Sequence, residues 1–299
     1  MVSGIMPEQL SKSLRSPRMA GSWYPGQPDE LERLLTSYRE ELPAMQGRLD
    51  AATRWAGLVC PHAGYRYSGR CAARAYAALG DWRPGRVVVV APSHHEWFPG
   101  PSFWSPQPDH PAAGAWRTPL GRLEVDVEFG ARLGRRLPGL GFGQAGHRDE
   151  HSLELQLPFL QHALGSFRLA PLVMGDQRPE AVRELAAALA DCLDELPTLL
   201  VASTDLSHFH EVGEAAELDG LFLKKLEQGD EEQLLSALHS GACEACGGGP
   251  VAVVLGALRR ALGGVQVELL DYRSSADTTG ETDSVVGYGA ALIRENPHA

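Results

Sequence analysis

RVVVVAPSHH, Arg86 to His95, opens with five consecutive apolar residues after its arginine and closes on a polar turn bearing two imidazoles. A short run that is apolar at every position, without alternation, predicts a strand buried on both faces, as in a sheet covered by helices. The pattern recurs on both sides of it. WAGLVC (Trp55 to Cys60) runs into PHAGY, PTLLVAS (Pro197 to Ser203) runs into TDLSHFH, and FRLAPLVMG (Phe167 to Gly175) is also strand-like. Between these stretches the period changes. ELERLLTSYREEL (Glu30 to Leu42), a segment from about Gly69 to Leu79, and PEAVRELAAALADCLDEL (Pro179 to Leu196) read as helices. Two more helices are expected over Val212 to Glu227 and Glu231 to Leu238, and another near Val251 to Leu262, stopped by Gly263-Gly264. VQVELLDYR (Val265 to Arg273) and SVVGYGAALI (Ser284 to Ile293) read as two final strands, and Glu96 to Pro119 as a long loop with one short strand. Alternating strands and helices predict an α/β fold whose central, mostly parallel or mixed sheet is flanked by helices on both faces. A polar leader over residues 1–15 and a single domain over 16–299 are expected, since no repeat, low-complexity tract or linker interrupts the pattern.

Composition narrows the function. Of 299 residues, 43% are hydrophobic and 22% charged, ordinary usage for a chain with a buried core. The net charge of −11 offers no basic field for nucleic acid or an anionic membrane surface. The first residues lack the charged start and apolar run of an export signal, and no apolar stretch approaches the length of a membrane span. Five cysteines, an odd number, then read as reduced thiols of a cytoplasmic protein.

The positions of the histidines carry most of the functional signal. His62, His94, His95 and His208 each follow an apolar strand by a few residues. Ligand sites of open α/β sheets gather outside the carboxyl ends of the strands, so three strand ends would deliver imidazoles to one crevice. Cys246, in the turn ACGGGP before a helix, adds a soft ligand favoured by the positive end of that helix. Cys243 and Cys246 also form a C-x-x-C pair, which suits half of a zinc site or a redox couple. Asp205, three residues before His208, either orients an imidazole as a general base or adds a metal ligand. His147, Glu150, His151 and Glu154 fall on one face if helical, and the alternative is a helix start capped by Asp149 or Ser152. No G-x-S-x-G elbow supports a serine hydrolase and no G-x-x-x-x-G-K-[ST] loop supports a nucleotide phosphate site.

Eight segments in order, AGSWYP (Ala20 to Pro25), PHAGYRYSG (Pro61 to Gly69), PSHH (Pro92 to His95), RTPLG (Arg117 to Gly121), DEHSLELQLPFL (Asp149 to Leu160), STDLSHF (Ser203 to Phe209), CGGGP (Cys246 to Pro250) and DSVVGYGA (Asp283 to Ala290), make the chain similar to the Memo family. This family is also the B component of the AmmeMemoRadiSam system. The resemblance implies the fold of class III extradiol dioxygenases, which open catechol-type rings with non-haem Fe(II). It implies a metal held by His62, His94 and Cys246, with Fe(II) first and copper or zinc as alternatives. It further implies His208 as the acid–base residue with Asp205 beside it, and His95, His151 and Glu154 along the substrate cleft. Ring-cleaving relatives use a carboxylate where this chain has the Cys246 thiolate, so oxidoreductase chemistry on an unknown small molecule is the expectation, without ring cleavage being required. Animal members of the family are linked to motility signalling and phosphotyrosine peptides, which implies a peptide- or protein-binding module as the alternative. The system name implies a radical-SAM or AMMECR-type partner protein.

Overall fold

A computed structural model describes residues 13–42 and 49–297. The apolar run that begins at Arg86 forms β3 (Arg86–Pro92), buried along its whole length. Its neighbours are β8 (Arg168–Met174) on one side and β9 (Thr198–Ser203) on the other, with β2 (Trp55–Cys60) next to β9, and all four run parallel. The sheet is completed in the antiparallel sense. β12 (Val285–Glu295) pairs with β2, β11 (Val265–Ser274) with β12, and β4 (Pro101–Trp104) with β8. β7 (Gly141–Gly143) continues from β4, and β10 (His208–His210) adds to β12. The sheet is therefore mixed, with a parallel centre.

Opposite residues of β2 meet different helices, which puts helices on both faces. A Cβ added at Gly57 would lie 2.7 Å from Leu258 of α8 (Gly248–Leu262), so glycine lets that helix close onto the sheet. Cys60, of the other parity, lies beside Tyr76 of α2 (Tyr65–Ala77). With α8 pack α5 (Pro179–Cys192) and α7 (Glu231–His239); with α2 pack α1 (Pro28–Glu40) and α4 (Gln156–Leu164). α6 (Val212–Glu227) lies against β10, β11 and β12. Among the described residues, no helix is long and apolar enough to cross a membrane.

Three differences from the sequence reading have physical causes. The stretch from Glu96 to Pro119 holds two strands, β4 and β5 (Ala115–Thr118), and β5 pairs onward with β6 (Gly121–Glu124). Prolines hid them, yet Pro101 occupies the first position of β4, where proline is tolerated, and Trp104 and Trp116 pack edge to face at 6.2 Å. A helix not expected, α3 (Val127–Arg136), is capped by Asp126, whose side chain accepts from the Phe129 N–H at 3.0 Å. Residues 1–12 of the expected leader lie outside the described residues, but its end is packed structure. β1 (Leu14–Arg15) pairs with β5, and buried Arg15 pairs with Glu154 while donating to the carbonyl oxygens of His147 and Glu150.

Candidate metal centre

The carboxyl ends of β2, β9 and β3 are adjacent, and each continues into a turn carrying one of the expected residues. His62 follows β2, His94 follows β3, and Asp205 and His208 follow β9. The turn before α8 brings in Cys246. One ligand atom from each of His62, His94 and Cys246 lies within 4.8 Å of the others. The His62 and His94 ring centroids are 5.2 Å apart, edge to face, and Cys246 Sγ is 3.2 Å from His62 Nε2.

Hydrogen bonds fix which ring nitrogens face the centre. Ser203 Oγ donates its one hydrogen to the Ser152 carbonyl at 2.6 Å and accepts from Gln156 Nε2 at 2.8 Å. His62 Nδ1, 2.8 Å from that oxygen, must therefore be the donor, which leaves Nε2 with a free lone pair. Gln156 cannot be reversed, because its Nε2 also donates to the Pro61 carbonyl and its Oε1 accepts from the Tyr76 hydroxyl. On the second imidazole, His94 Nδ1 donates to Glu150 Oε1 at 2.9 Å and the His94 backbone N–H donates to Oε2 at 2.6 Å. A carboxylate holding the far nitrogen of a ligand histidine is the usual support of a metal site. Burial alone would raise the Glu150 pKa, but the hydrogen bonds it accepts from the His94 ring and from the His94 and Ser152 N–H groups hold it well below the carboxylate range. Burial lowers the His62 pKa far below its ordinary value, so this imidazole is neutral.

The cysteine is placed as tightly. Its backbone N–H donates to the Asp205 carbonyl at 3.2 Å, and its sulfur accepts from the Asp205 N–H at 3.3 Å. Gly247 is required next, since a Cβ there would collide with the Ser203 carbonyl oxygen. Burial, and then the Asp205 carboxylate, push the Cys246 thiol well up. The helix start thus does not yield a free thiolate by itself, and a bound cation would have to displace the proton. Two imidazoles whose Nδ1 atoms are both engaged, with Nε2 turned to one point, plus one sulfur, fit a single metal ion of borderline or soft character.

The remaining expected residues divide. His208 is half-buried; its Nδ1 donates to the Leu206 carbonyl at 2.8 Å, leaving Nε2 as the basic atom, and burial lowers its pKa. Asp205 does not pair with the His208 ring. Its carboxylate accepts the backbone N–H groups of His62, at 2.7 Å, and Ala63, so it shapes the turn that carries His62; burial raises its pKa to about 7. His151 stacks on His94 with centroids 4.6 Å apart and is covered by Trp23 at 4.5 Å. His95 is exposed, its ring 6.2 Å from that of His151. Glu154 does not line a cleft. It is fully buried, and its carboxylate is taken by Arg15, the Tyr24 hydroxyl and the N–H groups of Arg18 and Met19. Neither alternative for residues 147–154 holds, because α4 starts only at Gln156 with Leu155 as its uncapped N-cap, and Glu150 itself binds the His151 and Ser152 N–H groups. Although His94, Glu150 and His151 also cluster, the Glu150 oxygens are consumed by these four N–H groups, which makes it a support and not a second centre. Cys60, Cys71 and Cys192 are buried, and Cys243 stands in the wall of a neighbouring cleft.

That cleft, of about 720 Å³, opens beside Cys246 and His208. Its walls are Leu206, Leu235 and Leu238 together with the Gly175–Pro179 loop, and the exposed Trp97 stands at its edge. Sequence reasoning placed Glu150 only in a polar cluster and missed Ser203 and Gln156 as supports; all three lie within the motifs quoted above, but nothing in a strand serine or a helix glutamine marks a partner far away in the chain.

A mixed sheet with a His, His, Cys cluster outside its parallel strand ends defines an α/β protein with a site suited to one metal ion. Comparison with known proteins takes this further. The Memo-like protein family matches residues 15–292, and the chain belongs to that family. A MEMO1 family protein of Methanopyrus kandleri is 35% identical over 287 residues, covering 94% of this chain and 99% of its own. One of Aeropyrum pernix is 36% identical, with 94% and 99% covered. Among solved structures, an uncharacterized protein from Escherichia coli K12 shares the fold with a TM-score of 0.51 at 18% identity, over 79% of this chain and 98% of that one.

Proposed function

We propose that this protein binds one metal ion, Fe(II) in its working form, through Nε2 of His62, Nε2 of His94 and Sγ of Cys246, and that it acts on a small molecule in the adjoining cleft. The observation supporting this most directly is the pair of imidazoles whose Nδ1 atoms are both occupied, by Ser203 and Glu150, so that both Nε2 atoms are free. A three-residue ligand set leaves positions open, and the bound ion would supply Lewis-acid and redox chemistry there. Zinc and copper suit the same donors, with the thiolate favouring them more than a carboxylate would. His208, with Nε2 free and neutral, takes or returns protons at the mouth of the cleft. Asp205 keeps the His62 turn in place, and His151 packs against His94 as part of the wall. Unpaired cysteines suit a reducing compartment such as the cytoplasm.

Metal titration under anaerobic, reducing conditions tests the ligand set. Cys246→Ser is expected to weaken Fe(II) or Co(II) binding far more than Cys243→Ser. Equal losses would instead make the C-x-x-C pair the ligand. The apolar wall of the cleft and exposed Trp97 favour, as a second reading, a docking groove for a peptide. Such binding would persist after the metal is removed and after Cys246→Ser, whereas turnover of a small molecule would not.

A further inference from the structure

The start of α8 has the look of an anion site, but its N–H groups are spent. The Gly247 N–H donates to Thr204 Oγ1 at 2.9 Å, the Gly248 N–H to the Ala245 carbonyl at 3.2 Å, and Pro250 has none. The Gly249 N–H donates to Gln177 Oε1 at 2.9 Å, and Gln177 Nε2 donates to the Cys246 carbonyl at 2.8 Å. Gln177 stands on the loop after β8, which pairs with β3 in the parallel centre of the sheet and, like the loop after β9, carries no proposed ligand. One side-chain amide thus spans the turn from Cys246 to Gly249.

We propose that Gln177 is a positioning residue for the Cys246 sulfur, a role that rests on Cys246 being a metal ligand. Asp205 holds the amide side of Cys246 through its carbonyl, and Gln177 holds the carbonyl side. With both backbone groups of Cys246 fixed, the direction of its Cα–Cβ bond is fixed, and the sulfur is left on the Asp205 N–H beside His62 Nε2. Only an amide does this. The Cys246 carbonyl needs a donor and the Gly249 N–H an acceptor, so a carboxylate of the same shape would set one oxygen against the carbonyl, and an apolar isostere would leave both groups unpaired.

The test is a titration of Co(II) into the full chain, reading both affinity and the thiolate-to-cobalt charge-transfer band. Gln177→Glu and Gln177→Met are made in the wild type and in Cys246→Ser. In the wild type, each is expected to weaken Co(II) binding by about 10–100-fold, the usual effect of losing an outer partner, and to lower the band per bound ion. In Cys246→Ser, where no sulfur remains to be positioned, the same changes are expected to cost less than about threefold, because coupled sites are not additive. Equal losses in both backgrounds would make Gln177 a general fold residue and overturn the proposal. Unchanged affinity and band in the wild type would do the same. If Cys246→Ser itself binds Co(II) as well as the wild type, the ligand reading fails first and the proposal with it, a result distinct from the other two. Should the Gln177 variants not fold, Gly249→Ala perturbs the clamp from the other side, its Cβ lying 2.8 Å from Gln177 Oε1. It is expected to reproduce the loss of affinity and band, and full retention of both would refute the role.

Discussion

Lowering the pH should weaken metal binding by a factor that the protonation states of the ligands determine. His62 enters as a neutral imidazole, because burial lowers its pKa and Ser203 pins its only hydrogen on Nδ1. Cys246 enters as a thiol, because burial and Asp205 raise its pKa well above the ordinary range. Binding must then release the thiol proton, and the apparent association constant should rise about tenfold per pH unit, or about 1.4 kcal/mol. The window to use lies above about pH 7, where Asp205, whose pKa is raised to about 7, has given up its own proton. Competition against a chromophoric chelator for Co(II) or Zn(II), repeated at several pH values under reducing conditions, gives the slope. Calorimetry in buffers of different ionisation enthalpy counts the protons directly. A slope near zero would mean that the sulfur is not a ligand or is already ionised. A slope near two would mean that a ligand imidazole gives up a proton as well. Cys246→Ser should flatten the slope.

Three further outcomes follow from the support network. Glu150→Gln puts an amide among four N–H donors and should reduce metal affinity by about 10–100-fold, measured by the same competition; unchanged affinity would remove Glu150 from the site. Asp205→Asn keeps the acceptor for His62 but not the raised carboxyl pKa. That raised pKa gives the wild type extra stability below about pH 4 which is lost as the pH climbs to about 7, so the melting temperature of metal-free Asp205→Asn should gain on the wild type between those values, and parallel curves would contradict the assignment. His208→Ala should leave Co(II) affinity within about threefold of wild type, since its Nδ1 bonds the Leu206 carbonyl and its ring holds none of the three ligand side chains, while abolishing turnover of any substrate found; loss of the metal would make His208 a ligand.

The parts of the fold legible in the sequence were those in which burial dictates every residue. β3 and β9 are buried along their length and could be read as runs. That His62 and His94 come together was legible for a related reason, because a histidine just after such a run has only the sheet's carboxyl edge to occupy. What stayed hidden depends on contacts across the chain. Glu154 shares its spacing with Glu150, and nothing local says that one faces Arg15 and the other His94. The strands of the Glu96–Pro119 segment are set by Trp104 meeting Trp116, not by any period. Asp205 looked like the partner of His208, three residues on, but the turn sends its carboxylate to the backbone of His62.

The segment from Glu150 to Gln156 ties these observations together. Glu150 holds His94, while the Ser152 carbonyl and Gln156 amide together set the hydrogen of Ser203 and so the tautomer of His62. Both imidazoles therefore depend on one irregular stretch that makes no ladder of its own. Its anchorage comes from elsewhere: Ser152 Oγ donates to the Pro92 carbonyl at the end of β3, and Arg15 pairs with Glu154 while donating to the Glu150 carbonyl. A buried ion pair is weak evidence for net stability, because desolvation offsets attraction, but removing one partner strands the other charge. Arg15 is thus better understood as fixing the position of the supporting stretch than as strengthening the fold. The residue at the very end of the expected leader holds, through one carbonyl and one carboxylate, the stretch that turns two imidazoles toward a common point.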